Sequence, residues 1–232
     1  MKANIHLIGG EKGGVGKSVT ARVIAQYMID KKIPFLGFDT DRSHGSLLRF
    51  YGDYASPVVV DRLENMDIIF ESAAADVNLR VLVDLAAQSH EPLVKWIDES
   101  GVLEITEEIG LKICYWHVMD SGKDSVDLLG KLFDRFGNRF SYVIVQNELR
   151  GDNFSNFESS GMKERALGLK ADIFPLKRLN EAVINKIDHA SSSFWSAKNK
   201  DENTTHNLGI LQRQRVKLWL NSAYSGLDKL GL

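Results

Sequence analysis

Gly10-Glu11-Lys12-Gly13-Gly14-Val15-Gly16-Lys17-Ser18 is the stretch on which the reading of this chain turns. Residues 5–8 before it are apolar and run into Gly9-Gly10, as a buried strand entering a tight turn does. After it, Val19, Val23, Ile24, Tyr27 and Met28 recur at helical spacing up to Lys31-Lys32, cations suited to a helix C-terminus. A glycine-rich turn between strand and helix lets consecutive amide N–H groups converge on one anion, with the positive helix end behind them. Lys17 can reach the β- and γ-phosphates of a nucleotide, and the Ser18 hydroxyl can ligate Mg²⁺. Counted from Gly10, the spacing is one residue longer than the usual phosphate-loop pattern, and Glu11 stands at the usual first position. The candidate nucleotide-binding segment is therefore Glu11, Lys12, Gly13, Gly14, Val15, Gly16, Lys17, Ser18 and Val19.

Working outward, apolar runs at 34–38, 80–84, 111–119, 141–147 and 171–175 read as further strands. Helical patterns around 44–50, 61–74, 90–98, 124–135 and 178–189 separate them. Strands alternating with helices predict an α/β fold, a doubly wound, mostly parallel sheet flanked by helices. Ligands of such sheets sit at the C-terminal ends of the strands. Segments 149–162 and 190–206, rich in Ser, Asn and Gly, read as loops, and 207–229 as a final helix. We expect one domain over 1–232, with its core at about 3–190 and a helical C-terminal appendage.

Length and composition agree with this. The 232 residues are 44% hydrophobic and 26% charged, enough for a core that needs no staple. One cysteine, Cys114, excludes an internal disulfide, and no Cys/His cluster has metal-ligand spacing. No apolar run reaches the ~20 residues of a membrane span, and the first residues lack a secretory h-region. The expected location is the reducing cytoplasm. A net charge of −2 conceals an uneven distribution, because residues 161–232 carry +5 and the rest −7. A basic C-terminal third suits phosphate backbones or acidic lipids, or simply a solvated face.

The segment KGGVGKS at 12–18 resembles the deviant phosphate loop, KGGxxK[ST], of the ParA/MinD superfamily of ATPases. The order of elements is similar over most of residues 3–190. The resemblance implies ATP and Mg²⁺ as cofactors and a homodimer formed around two nucleotides. It implies that Lys12 reaches across the interface to the partner's phosphates. Asp41, in Asp39-Thr40-Asp41, matches the switch I aspartate that positions attacking water, although Arg42-Ser43 replaces the family's usual Pro-Gln. The catalytic candidates are thus Lys12, Lys17 and Asp41. Asp84 stands where the family's second loop motif holds Mg²⁺ through water, so Ser18 and Asp84 are the metal candidates. It is followed by Leu85-Ala86-Ala87-Gln88, where many relatives show a Pro and a Gly. The DLAAQ segment is similar to the plasmid-transfer and plasmid-stability branch, the TraL- and StbB-like proteins.

For the base, the resemblance assigns Asn147 to adenine, with Phe174, Pro175 and Leu176 lining the other side. A guanine-type NKxD string also occurs at Asn185-Lys186-Ile187-Asp188, but its surroundings read as a helix with Ala182, Val183 and Ile187 on one side. We read it as coincidence, and the nucleotide as ATP. The six histidines form no ligand-spaced pair, and His117 reads as a core residue. The superfamily's cluster-bearing reductases need cysteines that this chain lacks, and its tyrosine kinases need a tyrosine-rich tail.

In the tail, Leu208, Leu211, Val216, Leu220 and Tyr224 predict a stripe packing on the sheet, with Arg213, Arg215 and Lys217 facing elsewhere. That basic face is either solvated, a nonspecific DNA patch, or part of an interfacial membrane helix. The leading expectation is an ATPase that acts as a positioning or partition switch in plasmid or chromosome segregation or plasmid maintenance. It would bind DNA nonspecifically, associate with the nucleoid, and meet a protein partner that stimulates hydrolysis. The alternative is a regulator of protein assembly or membrane-associated positioning, and a third is a relative acting on a small molecule.

Overall fold

A computed structural model describes residues 3–10, 12–41, 45–199 and 207–232. Among them, seven strands form one sheet in the order β3-β2-β4-β1-β5-β6-β7. They are β1 (Ile5–Gly9), β2 (Phe35–Asp39), β3 (Ala55–Pro57), β4 (Arg80–Asp84), β5 (Ile113–Met119), β6 (Ser141–Asn147) and β7 (Asp172–Leu176). Every pairing is parallel. Such sheets are covered on both faces, which is why β1 and β5 are buried along their whole length. The chain leaves β1 for β2 on one side and leaves β4 for β5 on the other. The loops after β1 and β4 therefore part in opposite directions and open a crevice at the C-terminal edge.

Helix α1 (Lys17–Lys31) begins directly after the phosphate loop, with Gly16 as its N-cap in the left-handed region at φ 95°. It is enclosed on most sides, so its interior carries polar residues as well as apolar ones. Arg22, 2% exposed, donates to Asp188 Oδ1 at 2.8 Å and stacks on Phe50, 3.5 Å from the ring centroid. Asp188, the last residue of the NKxD string, lies in helix α9 (Glu181–His189) and braces α1 from there. The string is helical, as its pattern predicted, and its aspartate serves packing.

The other helices are α2 (Ser46–Phe50), α3 (Leu63–Ala75), α4 (His90–Glu99), α5 (Val102–Ile109), α6 (Lys123–Phe136), α7 (Ser155–Ser159), α8 (Met162–Gly168), α10 (Phe194–Lys198) and α11 (Ile210–Leu230). One core layer packs α1, α9, α10 and α11 on the sheet, and the second packs α3 to α8 on the opposite face. Five short elements, β3, α5, α7, α8 and α10, fall where the sequence predicted none. Strand β3 has three residues, ends in Pro57 and sits at the sheet edge, where a missing N–H is tolerated. Helices α7 and α10 lie within the expected loops, each anchored by one fully buried ring, Phe157 and Phe194.

Helix α11 corrects the expected stripe. Val216, Trp219, Leu220, Ala223 and Leu227 face the core, whereas Leu211 is 70% exposed. Two tyrosine–aspartate bonds fasten it to α1: Tyr27 donates to Asp228 and Tyr224 donates to Asp30, each at 2.8 Å. His117 is buried, with Nε2 2.9 Å from the Ser125 carbonyl, and no helix among the described residues is long and apolar enough to cross a membrane.

Candidate nucleotide site

The loop at 12–16, the end of β2 and the loop after β4 enclose a cavity of about 350 Å³. Gly13, Gly14, Gly16, Lys17, Ser18 and Val19 line it from the phosphate-loop side, Asp41, Asp84, Leu85, Ala86 and Ala87 from the other, and Leu149 closes one end. Glu11 and Arg42-Ser43 lie outside the described residues. Glycine at 16 is a packing necessity, since a Cβ there would sit 2.0 Å from Asn147 Nδ2. That amide group donates to the Val15 carbonyl at 2.7 Å, so β6 braces the loop from below. Its oxygen accepts from Leu149 N–H at 3.2 Å.

Lys17 is 7% exposed and folds back to donate to the Lys12 carbonyl at 3.2 Å. Lys12 points to its own chain, with Nζ 3.1 Å from Asp120 Oδ2 and 3.8 Å from Asp124 Oδ2. Asp120, just past β5, also accepts from the Ser125 hydroxyl at 2.7 Å and Gly122 N–H at 3.0 Å. Burial acts against its charge, but the bonds from Ser125, Lys12 and Gly122 outweigh burial and hold its carboxyl below the usual range. The sequence reading overlooked Asp120. Its place just past the C-terminal end of a strand, the edge where ligands of such sheets sit, is the signal that would have found it.

Asp84 is the electrostatic centre. Burial, reinforced by neighbouring Asp39, pushes its carboxyl up to about 7, against the Ser18 hydroxyl bond and the Lys17 charge. Its Oδ1 is buried with no hydrogen-bond partner among the described residues. A desolvated carboxylate oxygen facing a serine hydroxyl suits a hard divalent cation, so Ser18 and Asp84 fit Mg²⁺. Asp39 does something else. It accepts from Asp41 N–H and from Leu48 N–H, each at 3.0 Å, and so caps α2, while burial raises its carboxyl. The pair thus divides its work: Asp39 caps the helix and Asp41 lines the cavity. Gln88 occupies the left-handed region at φ 63°, where glycine would be free of a strain of about 1 kcal/mol.

A narrow cleft of about 20 Å³ adjoins the cavity, lined by Val19, Asn147, Leu149, Leu176, Lys177, Arg178, Leu179, Ile184 and Trp219. The structure brings Asn147 and Leu176 together here and leaves Phe174 and Pro175 out. Pro175 turns to the opposite side of β7 and is exposed, as strand alternation requires. Phe174 is 2% exposed, edge-on to Trp116 at 6.3 Å and tight against Gly226. Two features escaped the sequence reading. Lys177 pairs with Glu148 at 2.6 Å beside the cleft, and Trp219 of α11 forms a wall by donating to the Lys177 carbonyl at 2.6 Å.

A parallel sheet whose first strand feeds a glycine loop, a helix-starting Lys-Ser pair and a buried aspartate defines a P-loop nucleotide-binding protein. No family model matches the sequence. Two TraL proteins of Escherichia coli are 25% and 27% identical to the chain, each match covering 97% of it and 98% of the relative. The Signal Recognition Particle 54 kDa protein of Aeropyrum pernix K1, solved in complex with GDP, superposes with a TM-score of 0.50 at 15% identity. That match covers the whole of this chain but spans half the length of the larger protein, and it speaks to the fold alone. The similarity to the TraL proteins thus extends from one loop to the whole chain.

Proposed function

We propose that this chain is a Mg²⁺-dependent ATPase that dimerises around two ATP molecules and works as a positioning or partition switch for plasmid DNA. The observation that carries the reading is Asp84 Oδ1, a buried oxygen without a partner among the described residues, on a carboxyl group that bonds the Ser18 hydroxyl and feels the Lys17 charge at the wall of a cavity of nucleotide size. In this reading Lys17 and the amides of residues 13–19 hold the phosphates, with Glu11 completing the loop. Ser18 and Asp84 hold the metal. Asp41 orients the attacking water, and Lys12 leaves Asp120 to neutralise charge on the partner subunit's nucleotide. Asn147 has one amide hydrogen to spare beyond Val15 and reads adenine, with Leu176 against the ring. Phe174 supports that wall from the core, while Pro175, on the other face of the strand, contributes backbone only. Full-length similarity to TraL proteins supports the plasmid context.

The basic positions Arg215 and Lys217 on exposed α11 surface suit nonspecific DNA and nucleoid association in the cytoplasm. Ile210, Leu211 and Leu218 are 77%, 70% and 59% exposed on the same helix and favour the second reading, a protein partner recruited by the ATP-bound form. Mass in solution tests both. With a slowly hydrolysed ATP analogue and Mg²⁺ the mass should double relative to ADP, and Lys12→Ala should prevent this. Retention on random-sequence DNA that appears only with the analogue and fades with salt supports the DNA reading. A chain that stays monomeric with every nucleotide overturns the switch.

A further inference from the structure

Thr40 ties two walls of the cavity together, and its hydroxyl carries the bond that reaches residue 86. It lies between Asp39, the last residue of β2, and Asp41 on the cavity wall. Its backbone N–H and its hydroxyl both donate to the Asp84 carbonyl, each at 3.1 Å. The same hydroxyl accepts from the Ala86 backbone N–H at 2.7 Å. A hydroxyl carries one proton and two lone pairs, so it donates and accepts at once. Thr40 is 4% exposed, which leaves these bonds little competition from water.

Their position gives them meaning. The β2–β4 ladder ends at Asp39 opposite Asp84, so the hydroxyl bonds lie one step beyond the sheet. On one side they hold residues 85–87, which form a cavity wall, and on the other they continue through Asp39 to the first turn of α2. The bond to residue 86 also needs an N–H there, which alanine has and proline lacks. The Ala86 departure is thus half of the tie.

We propose that Thr40 is a positioning residue that makes the loop after β2 and the loop after β4 respond as one unit when a triphosphate enters the cavity. This regulation rests on the nucleotide reading above. Without the hydroxyl, the Asp41 side and the Ala86–Ala87 side would adjust separately, and a ligand held by one would no longer order the other.

Hydrogen–deuterium exchange tests it on the full chain with Mg²⁺ and either ADP or a slowly hydrolysed ATP analogue. In the wild type and in Thr40→Ser, protection over 39–48 and over 84–89 should rise together when the analogue replaces ADP. In Thr40→Val, protection over 39–48 should still rise, while the gain over 84–89 should fall about tenfold, the scale of one buried hydrogen bond. Thr40→Ala, which creates no new clash, should behave like Thr40→Val. Paired protection in Thr40→Val or Thr40→Ala, or its loss in Thr40→Ser, overturns the role of the hydroxyl. A wild type that does not distinguish the analogue from ADP instead overturns the nucleotide reading, and the inference with it.

Discussion

Asp84 holds a carboxylate where the protein alone cannot satisfy it. Burial and Asp39 disfavour its charge, Lys17 and Ser18 offset this only in part, and Oδ1 finds no donor among the described residues. Such a group is kept at the expense of stability for what it can bind. Asp84→Asn removes the charge with little change in shape. It should raise the stability of the ligand-free chain by about 1–3 kcal/mol, the scale of an unsatisfied buried polar group. It should also abolish the stabilisation given by Mg²⁺ with nucleotide. Thermal melting with and without Mg²⁺ and the ATP analogue checks both halves, and a variant that melts below the wild type removes the argument for strain. Residue types at this scale were readable in sequence for Lys17, Ser18 and Asp84, because a strand-end or loop position dictates where each side chain goes. The division of labour between Asp39 and Asp41 was not readable, because it depends on α2 starting beneath Asp39.

At the scale of elements, α11 is more than an appendage. It supplies Trp219 to the cleft beside the cavity, and Gly226 lets it lie against β7. A Cβ at Gly226 would come within 2.6 Å of Phe174 Cε2, a ring that Trp116 meets edge-on. Gly226→Ala gains helix propensity but overpacks this contact, and overpacking in a close-fitting core costs about 1–3 kcal/mol. We expect a lower urea midpoint with an unchanged m-value, together with a shift in tryptophan fluorescence as Trp219 moves. A variant as stable as the wild type would mean that the interface yields easily. Helical periodicity revealed that this helix exists, but its buried face was misjudged by including Leu211. The apolar residues of its first turn extend beyond the surface that α1, α10 and β7 offer, so packing, not pattern, selects the stripe.

For the whole molecule, the sheet's interior makes stability depend on pH. Burial, with a lesser push from Arg80, lowers His6 to about 3, and burial lowers His117 to about 4 against its bond to the Ser125 carbonyl. Both are neutral in the native state, whereas the unfolded chain protonates them below their ordinary value of 6.5. Their contribution is therefore complete above pH 6.5 and is lost as pH falls towards the folded values. Asp84 acts in the opposite direction over the same range, so the clean measurement is a difference. The stability deficit of His117→Gln relative to wild type should shrink by about 1.4 kcal/mol per pH unit below 6.5, the equivalent of one proton. Urea unfolding at pH 8, 6 and 5 reads it, and a constant deficit would show that His117 titrates normally. Alternating apolar runs and helical periods sufficed to determine the α/β class, six of the seven strands and the phosphate loop, because each is written in neighbouring residues. Only the folded chain decided that Lys12 meets Asp120, that Thr40 bridges to Ala86, and that Phe174 belongs to the core while Leu176 borders the cleft. Those contacts join residues far apart in the chain, and the order in which parallel strands are laid side by side, which no local pattern encodes, determines who meets whom.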